Sequence, residues 1–403
     1  MKKRVTAAQV QGREAILTRT RNQKMARSAH AFVRGATVRF YEWLAAQKDG
    51  ALPVGPPIWI CGDCHVGNLG PVANASGVIE IQIRDLDQTV IGNPAHDLVR
   101  LALSLASAAR GSDLPGVTTA RMLERMMDGY ELAFQPDFQE ETDTEQPKSI
   151  RGVTRKAAAS TWKTLATERI RDTEPSIPLG RRFWPISREE SEALNELFNG
   201  EDMHRLATMM RARDDEAPVR LVDAAYWMKG CSSLGRLRYA ALLEVGGKKG
   251  REPDYCLMDI KEAARAAAPR SPGVEMPPTQ GQRVVEGARH LSPFLGKRMT
   301  GVTILGKSAF VRELMPQDLK IEIEHLTAAE AMKVAHYLAA IVGKAHSRQM
   351  DTKTRKQWQS ELKRNRSATL DAPSWLWNSV VELLVDHERA YLEHCRRHVH
   401  AAA

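Results

Sequence analysis

Two aspartates and an asparagine lie close enough along this chain to suggest proton-transfer and hard-cation chemistry. Asp63 opens the run Gly62-Asp63-Cys64-His65-Val66-Gly67-Asn68, Asn68 closes it, and Asp85 follows soon after. A carboxylate at the head of a loop can take a proton from a hydroxyl. An amide oxygen and a second carboxylate can ligate Mg2+. Phosphoryl transfer asks for little beyond these groups and cations over the phosphates. Carboxylates also cap strand ends, so the reading depends on whether the chain brings Asn68 and Asp85 together.

The elements between them do so. Ile58 to Cys61 is a short extended run leading into the loop. Leu69 to Val72 and Val78 to Ile83 read as strands joined by the turn Asn74-Ala75-Ser76-Gly77. The hairpin's open end sets Asn68 beside Asp85. In the second strand Ile79, Ile81 and Ile83 point to one face, Glu80 and Gln82 to the other.

Around this unit the periodicity predicts an amphipathic helix over Ala29 to Gln47, ended by the Pro53 to Pro57 cluster, and helices over Pro94–Arg110 and Thr118–Phe134. The acidic stretch Gln135 to Ser149 reads as a mobile loop and residues 151–215 as mainly helical. Strand signals follow at Tyr226 to Lys229, Arg236 to Val245 and Tyr255 to Lys261. A Pro-rich loop and a short helix, Gln282 to Leu291, precede two further strands, Val302–Leu305 and Ala309–Leu314. Helices over Ala328 to His346 and Ser374 to Arg397 complete an α+β chain. The expected division is a helical lobe over 1–215, a β-rich lobe over 216–316, and C-terminal helices over 317–403 that return to the first lobe.

Gly62-Asp63-Cys64-His65-Val66-Gly67-Asn68 resembles the GDxHxxN catalytic loop of the aminoglycoside phosphotransferases and related small-molecule kinases. Arg84-Asp85-Leu86-Asp87 is similar to their metal segment, and Gly92-Asn93-Pro94-Ala95-His96-Asp97-Leu98 to the GxPxxDL run after it. The resemblance implies Asp63 as catalytic base, Asn68 and Asp85 as Mg2+ ligands, and Asp97 as a brace for the loop with His65 in support. It implies ATP as the nucleotide. Gly230-Cys231-Ser232-Ser233-Leu234-Gly235 resembles a GxGxxG phosphate cover with Ser232 at the middle glycine. Lys261 would contact the phosphates and Glu286 would hold Lys261 as an ion pair, although Glu262 competes for that role.

In kinases the glycine loop and lysine precede the catalytic loop, whereas here they follow it. A circularly permuted, two-lobed protein-kinase-like fold accounts for the order, with a hinge at Met315-Pro316 and the helix ending Gly343-Lys344-Ala345-His346 returning to the helical lobe. The whole chain also resembles a bacterial family known as domain of unknown function 2252. The residues that carry this are Lys24-Met25-Ala26, Phe32-Val33-Arg34-Gly35-Ala36, the loop and hairpin, Asp259-Ile260-Lys261-Glu262-Ala263, and Gln282-Arg283-Val284-Val285-Glu286-Gly287.

Other chemistries compete for the same residues. Cys61-Gly62-Asp63-Cys64-His65 fits the CxxCH pattern of covalent haem attachment, but that takes place outside the cytoplasm and the basic start of the chain lacks the apolar stretch of a secretory signal. As a zinc site it lacks a second Cys pair, and as a redox dithiol it lacks a βαβ context. Cys61 and Cys64 read as small residues packed beneath the loop. An Asp-x-His start also suits a metallophosphoesterase, whose further Gly-Asp and Gly-Asn-His segments do not follow. AMP transfer, or nucleotide binding without catalysis, stays open on the same fold.

Hydrophobic residues at 43% and charged residues at 27% of 403 match an ordinary globular chain. The formal charge of +9 favours anionic partners. The basic residues are scattered and form no nucleic-acid motif, which disfavours nucleic acid as the partner. Arg34 and the basic stretch Arg151 to Arg171 would suit an anionic substrate or simply a solvated surface. No apolar run reaches the roughly 18 residues of a membrane span. Five cysteines give no disulfide framework, and the expected location is cytoplasmic.

Overall fold

The computed structural model describes residues 7–159, 175–210, 213–230, 234–246, 253–315, 319, 321, 326–363 and 372–398. Ten strands lie among them: β1 (Ile58–Ile60), β2 (Leu69–Ala73), β3 (Ile79–Ile83), β4 (Val90–Gly92), β5 (Phe183–Trp184), β6 (Val219–Trp227), β7 (Arg238–Val245), β8 (Asp254–Glu262), β9 (Met299–Ile304) and β10 (Lys307–Glu313). β5 to β10 form one antiparallel sheet in the order β5-β6-β7-β8-β10-β9, while β1 pairs with β4 and β2 with β3. The fold is mixed α+β.

The sheet is covered on one face by the helices Arg188–Phe198 and Glu201–Thr208, whose Leu194, Phe198, Met203 and Leu206 meet Tyr239, Ala241, Ile260 and Val311. Alternation along each strand sends those residues to one face and their neighbours to the other. A capping box, Ser187 with Glu190, starts the first of these helices. Glu190 also accepts from Arg13 at 2.7 Å and from Tyr239 at 2.8 Å. Those bonds fasten the helix Ala7–Met25 to the sheet. Few apolar residues recur along that helix, so periodicity did not predict it; Leu17 is buried in the sheet's core. Residues 183–206 therefore pack with the sheet, and the boundary expected at 215 falls inside this unit.

A second core is built by the helices Ala95–Gly111, Gly116–Leu132, Ala328–Ser347 and Ser374–His398 with the loop and hairpin. Gly129 and Gly343 let two of these helices cross closely. A Cβ at Gly129 would lie 2.0 Å from the His336 carbonyl oxygen, and one at Gly343 would lie 2.6 Å from that of Tyr130. The expected helix over Ala29 to Gln47 is two helices, Ala29–Gly35 and Thr37–Ala45. The first ends at Gly35, with Ala36 as its C-cap, and Met25 packs into the space a side chain at Gly35 would need.

Glu80 and Gln82 share one face as expected, with Gln82 Nε2 donating to Glu80 Oε2 at 2.9 Å. Gln82 is buried there, and its amide oxygen accepts from Ser292 Oγ at 2.8 Å and Phe294 N at 3.2 Å. One further expectation needs correction. The stretch 135–149 is anchored and contains the short helix Glu140–Asp143. Glu140 accepts from Tyr337 and from Lys344, both at 2.8 Å. Pro316 and residues 160–171 of the basic stretch lie outside the described residues. No described helix is long and apolar enough to cross a membrane.

Candidate functional site

Two helices hold the loop from below. Positions 97, 100 and 104 lie on one face of the Ala95–Gly111 helix, by the three- and four-residue spacing of an α-helix. Asp97 accepts from Cys61 N at 2.7 Å and Gly62 N at 2.9 Å, Arg100 Nε donates to Asp63 Oδ1 at 2.8 Å, and Ser104 Oγ accepts from Val66 N at 3.2 Å. From the Thr37–Ala45 helix, Thr37 donates to Asp63 Oδ2 at 2.9 Å and Tyr41 to the Gly62 carbonyl at 2.5 Å. Gly62 has a positive φ of 73°, and a Cβ there would lie 2.1 Å from the Gln88 carbonyl oxygen. Only glycine meets both conditions.

Asp97 is itself held. His346 Nε2 lies 3.2 Å from Asp97 Oδ2, Tyr130 Oη lies 3.0 Å from His346 Nδ1, and Trp358 Nε1 donates to Tyr130 Oη at 3.0 Å. With His346 protonated on Nε2, each link of this buried chain has one donor and one acceptor. Arg100 was missed in the sequence, although a signal was there. It is the single charge in the apolar run Leu98 to Ala109, and a charge buried in such a helix needs a buried partner.

Burial pushes the Asp63 carboxyl up, opposed by Arg100 and Thr37 and assisted by the charge of Asp85. Burial, then the charges of Arg100 and Arg34, hold the His65 imidazole well below its usual range. His65 is therefore neutral at pH 7. Its Nδ1 is buried and has no hydrogen-bond partner among the described residues. Cys61 and Cys64 are fully buried free thiols beneath the loop.

The hairpin behaves as its spacing requires. Leu69 pairs with Ile83, and Arg84 N donates to the Asn68 carbonyl at 2.7 Å, which sets Asn68 next to Asp85. Asn68 Nδ2 donates to the Asp63 carbonyl at 2.9 Å, so Oδ1 is the atom that side chain has to offer a cation. From the sheet, Lys261 Nζ lies 3.3 Å from Asp85 Oδ1 and also forms an ion pair with Asp87. Asp85 feels the cost of burial, but Lys261, Arg312 and Arg238 outweigh it and hold its carboxyl well below the usual range. Burial and the charge of Asp85 push Asp87 up despite Lys261.

Register explains the sheet's contribution. Arg238 stands opposite Lys261, and Arg312 opposite Asp259, so these four share one face. Asp259 is fully buried and accepts from Arg238 at 2.9 and 2.6 Å; Arg312 lies 3.3 Å away. These partners were missed as well, although the two-residue spacing of the charges at 259 and 261 along the strand already puts them on one face.

Between the sheet face and the loop lies a cavity of about 370 Å3, lined by His65, Gly67, Asn68 and Asp85 on one side and Gly230, Lys261, Arg238 and Arg312 on the other. Lys24, Arg27 and Arg34 close it from the N-terminal helices, and Leu86, Val284, Leu295, Met299 and Phe310 give it an apolar end. Among the described residues, eight cationic side chains and one carboxylate line it. The field inside is strongly positive.

Asn68, Asp85, Lys261, Gly230 and His65 thus meet at one cavity, while Asp63 and Asp97 lie beneath its floor. Ser232 lies outside the described residues. Gly235 has a positive φ of 100° and turns the chain between β6 and β7, but it does not line the cavity. Glu286 does not hold Lys261. Its helix, Gln280–Leu291, buries Val284, Val285, Ala288 and Leu291, which leaves Glu286 on the outer side with Arg289 at 3.1 Å and His290 at 3.3 Å. Glu262 pairs with Lys307. Aspartates 85 and 87 take the place expected for a glutamate. From the same helix Arg283 donates instead to the Asp87 and Ala264 carbonyls, at 2.9 and 2.8 Å.

A family model described as an uncharacterized protein conserved in bacteria (DUF2252) matches residues 13–397, and the chain belongs to that family. No curated protein and no solved structure matches the chain.

Proposed function

We propose that this chain is an ATP- and Mg2+-dependent phosphotransferase of circularly permuted, kinase-like architecture, acting on a hydroxyl-bearing acceptor. The observation that carries the reading is the meeting of Asn68, Asp85 and Lys261 at one cationic cavity, although they come from a loop, a hairpin and a separate sheet. The order of elements supports the permutation. A turn at Gly230, a lysine strand, a helix and two strands precede the Ala328–Ser347 helix, whose His346 docks on Asp97 under the loop.

The donor set fits Mg2+. Asn68 Oδ1 and the half-exposed Asp85 carboxylate are hard oxygens, and Mg2+ takes one or two such ligands with phosphate oxygens and waters. Bound there, it would neutralise charge on the phosphates. Lys261, released from Asp85, would contact the phosphates while Asp87 keeps it aimed. Gly230 would bring main chain close to the same groups. Asp63, the base by resemblance, lies beneath the cavity floor with Oδ2 on the Thr37 hydroxyl, so an acceptor hydroxyl would have to take the place of Thr37; burial raises the proton affinity of this carboxyl.

The test is nucleotide binding and turnover with Mg2+ and ATP labelled at the α or γ phosphate. Transfer of the γ label, lost in Asp63→Asn, is expected. Transfer of the α label would replace phosphorylation by AMP transfer. Magnesium-dependent ATP binding that survives Asp85→Ala combined with Lys261→Ala would refute the site.

A further inference from the structure

We infer that the cavity holds a second anion subsite, formed by Arg34 and Arg27 beside His65, and that the acceptor is a small hydroxyl compound bearing a phosphate or carboxylate group. This rests on the phosphotransferase reading for the word acceptor, but the subsite stands on its own geometry.

Five of the cavity's cations show a contrast. Three on the sheet have counter-charges: Arg238 and Arg312 share Asp259, and Lys261 is held by Asp85 and Asp87. Arg27 and Arg34 come from the N-terminal segment. Among the described residues neither side chain has a hydrogen bond or an ion pair, yet both line the cavity. Two guanidiniums without a carboxylate repel each other and the cations across from them, a cost that a bound anion removes.

Position separates this pair from the groups proposed for the nucleotide. The Arg34 guanidinium lies over Gly67 so closely that a Cβ there would sit 2.8 Å from Nη2 and 3.0 Å from Nε. It therefore flanks the loop between His65 and Asn68, and it is carried by the Ala29–Gly35 helix, not by the sheet that carries Lys261. The His65 imidazole, 4% exposed, lines the cavity beside the two arginines. An acceptor whose anionic group lies on Arg34 and Arg27 would present a nearby hydroxyl to the loop. A planar guanidinium favours the paired oxygens of phosphate or carboxylate.

The probe is inorganic phosphate, titrated by calorimetry into the full chain saturated with Mg2+ and a non-hydrolysable ATP analogue. Phosphate is expected to bind alongside the nucleotide. Arg34→Gln should weaken it by about tenfold or more, the loss of a charge-assisted contact. Arg27→Gln should weaken it by a smaller factor, and Arg34→Lys should retain part of it. Nucleotide affinity should stay within about threefold in all three. Phosphate and nucleotide that displace each other, or phosphate binding indifferent to Arg34 and Arg27, would overturn the subsite. If Arg34→Gln fails to fold, the exposed Arg27→Gln and the charge-preserving Arg34→Lys decide in the same assay. Wild-type protein that binds no nucleotide in the presence of Mg2+ would refute the phosphotransferase reading alone. Phosphate titrated into that nucleotide-free protein, with its dependence on Arg34, would still decide the subsite.

Discussion

Asp63 is 7% exposed and has both carboxylate oxygens engaged, whereas the Asp85 side chain keeps 45% of its surface and shares Lys261 with Asp87. Arg100, the cation facing Asp63, is wholly buried; the one facing Asp85 opens on the cavity. The closed side of the loop is built to hold a geometry. On its open side the contacts are accessible: under the proposed function, a cation or phosphate reaching Asp85 and Lys261 would replace one charge contact by another. Stability effects should therefore concentrate on the closed side and ligand effects on the open one.

The largest expected loss is from Arg100→Met. It leaves the Asp63 carboxylate without a cation and the Val33 carbonyl without the donor that Arg100 supplies at 2.6 Å. Breaking one partner of a buried pair costs about 3–5 kcal/mol, measurable by denaturant unfolding. A loss below about 1 kcal/mol would mean the closed side is not closed.

Acid should attack the same side next. Burial, with help from Arg100 and for His30 also from Arg34, lowers His30 and His387 to about 4 from 6.5. The folded form thus prefers them neutral. As pH falls below 6.5 the unfolded chain takes up protons that the folded one refuses, so stability is lost between pH 6.5 and about 4. Thermal melts should show Tm falling over that window, and less so in His387→Gln. A flat profile would remove the distinction.

Lys261→Met should cost about 2 kcal/mol, less than a fully buried pair because Asp85 is half exposed. Adding Asp87→Asn to it should cost less than the two single changes summed, and strict additivity would show that Lys261 and Asp87 do not interact. Asp85→Asn is the smallest for stability, within about 1 kcal/mol, since Lys261 keeps Asp87. The same substitution should weaken Mg2+-dependent ATP binding by about tenfold or more. A large stability loss with unchanged nucleotide binding would reverse the assignment of the two sides.

The open side was the more legible in the sequence. Period-two alternation and the Asn74 to Gly77 turn define the hairpin, and hairpin geometry alone brings Asn68 to Asp85. Asp97 was reached through resemblance, because nothing local says that a helix's first turn will cap a loop 35 residues earlier. Thr37 and Arg238 meet their carboxylates only through tertiary packing, and polarity alone does not single them out. Glu286 was misread because its helix has polar residues on several sides; the apolar positions 284, 285, 288 and 291 were the better guide to which way it faces.

The chain from Asp97 through His346 and Tyr130 to Trp358 also constrains the order in which the protein can be made. The loop at 61–68 emerges early from the ribosome, but its brace is completed by residues synthesised almost 300 positions later. Loop closure over such separations is slow and comes after local helices and hairpins have formed. The nascent chain will thus carry the loop sequence for most of synthesis without its final shape. The positive cavity can assemble only once the last third of the chain has arrived.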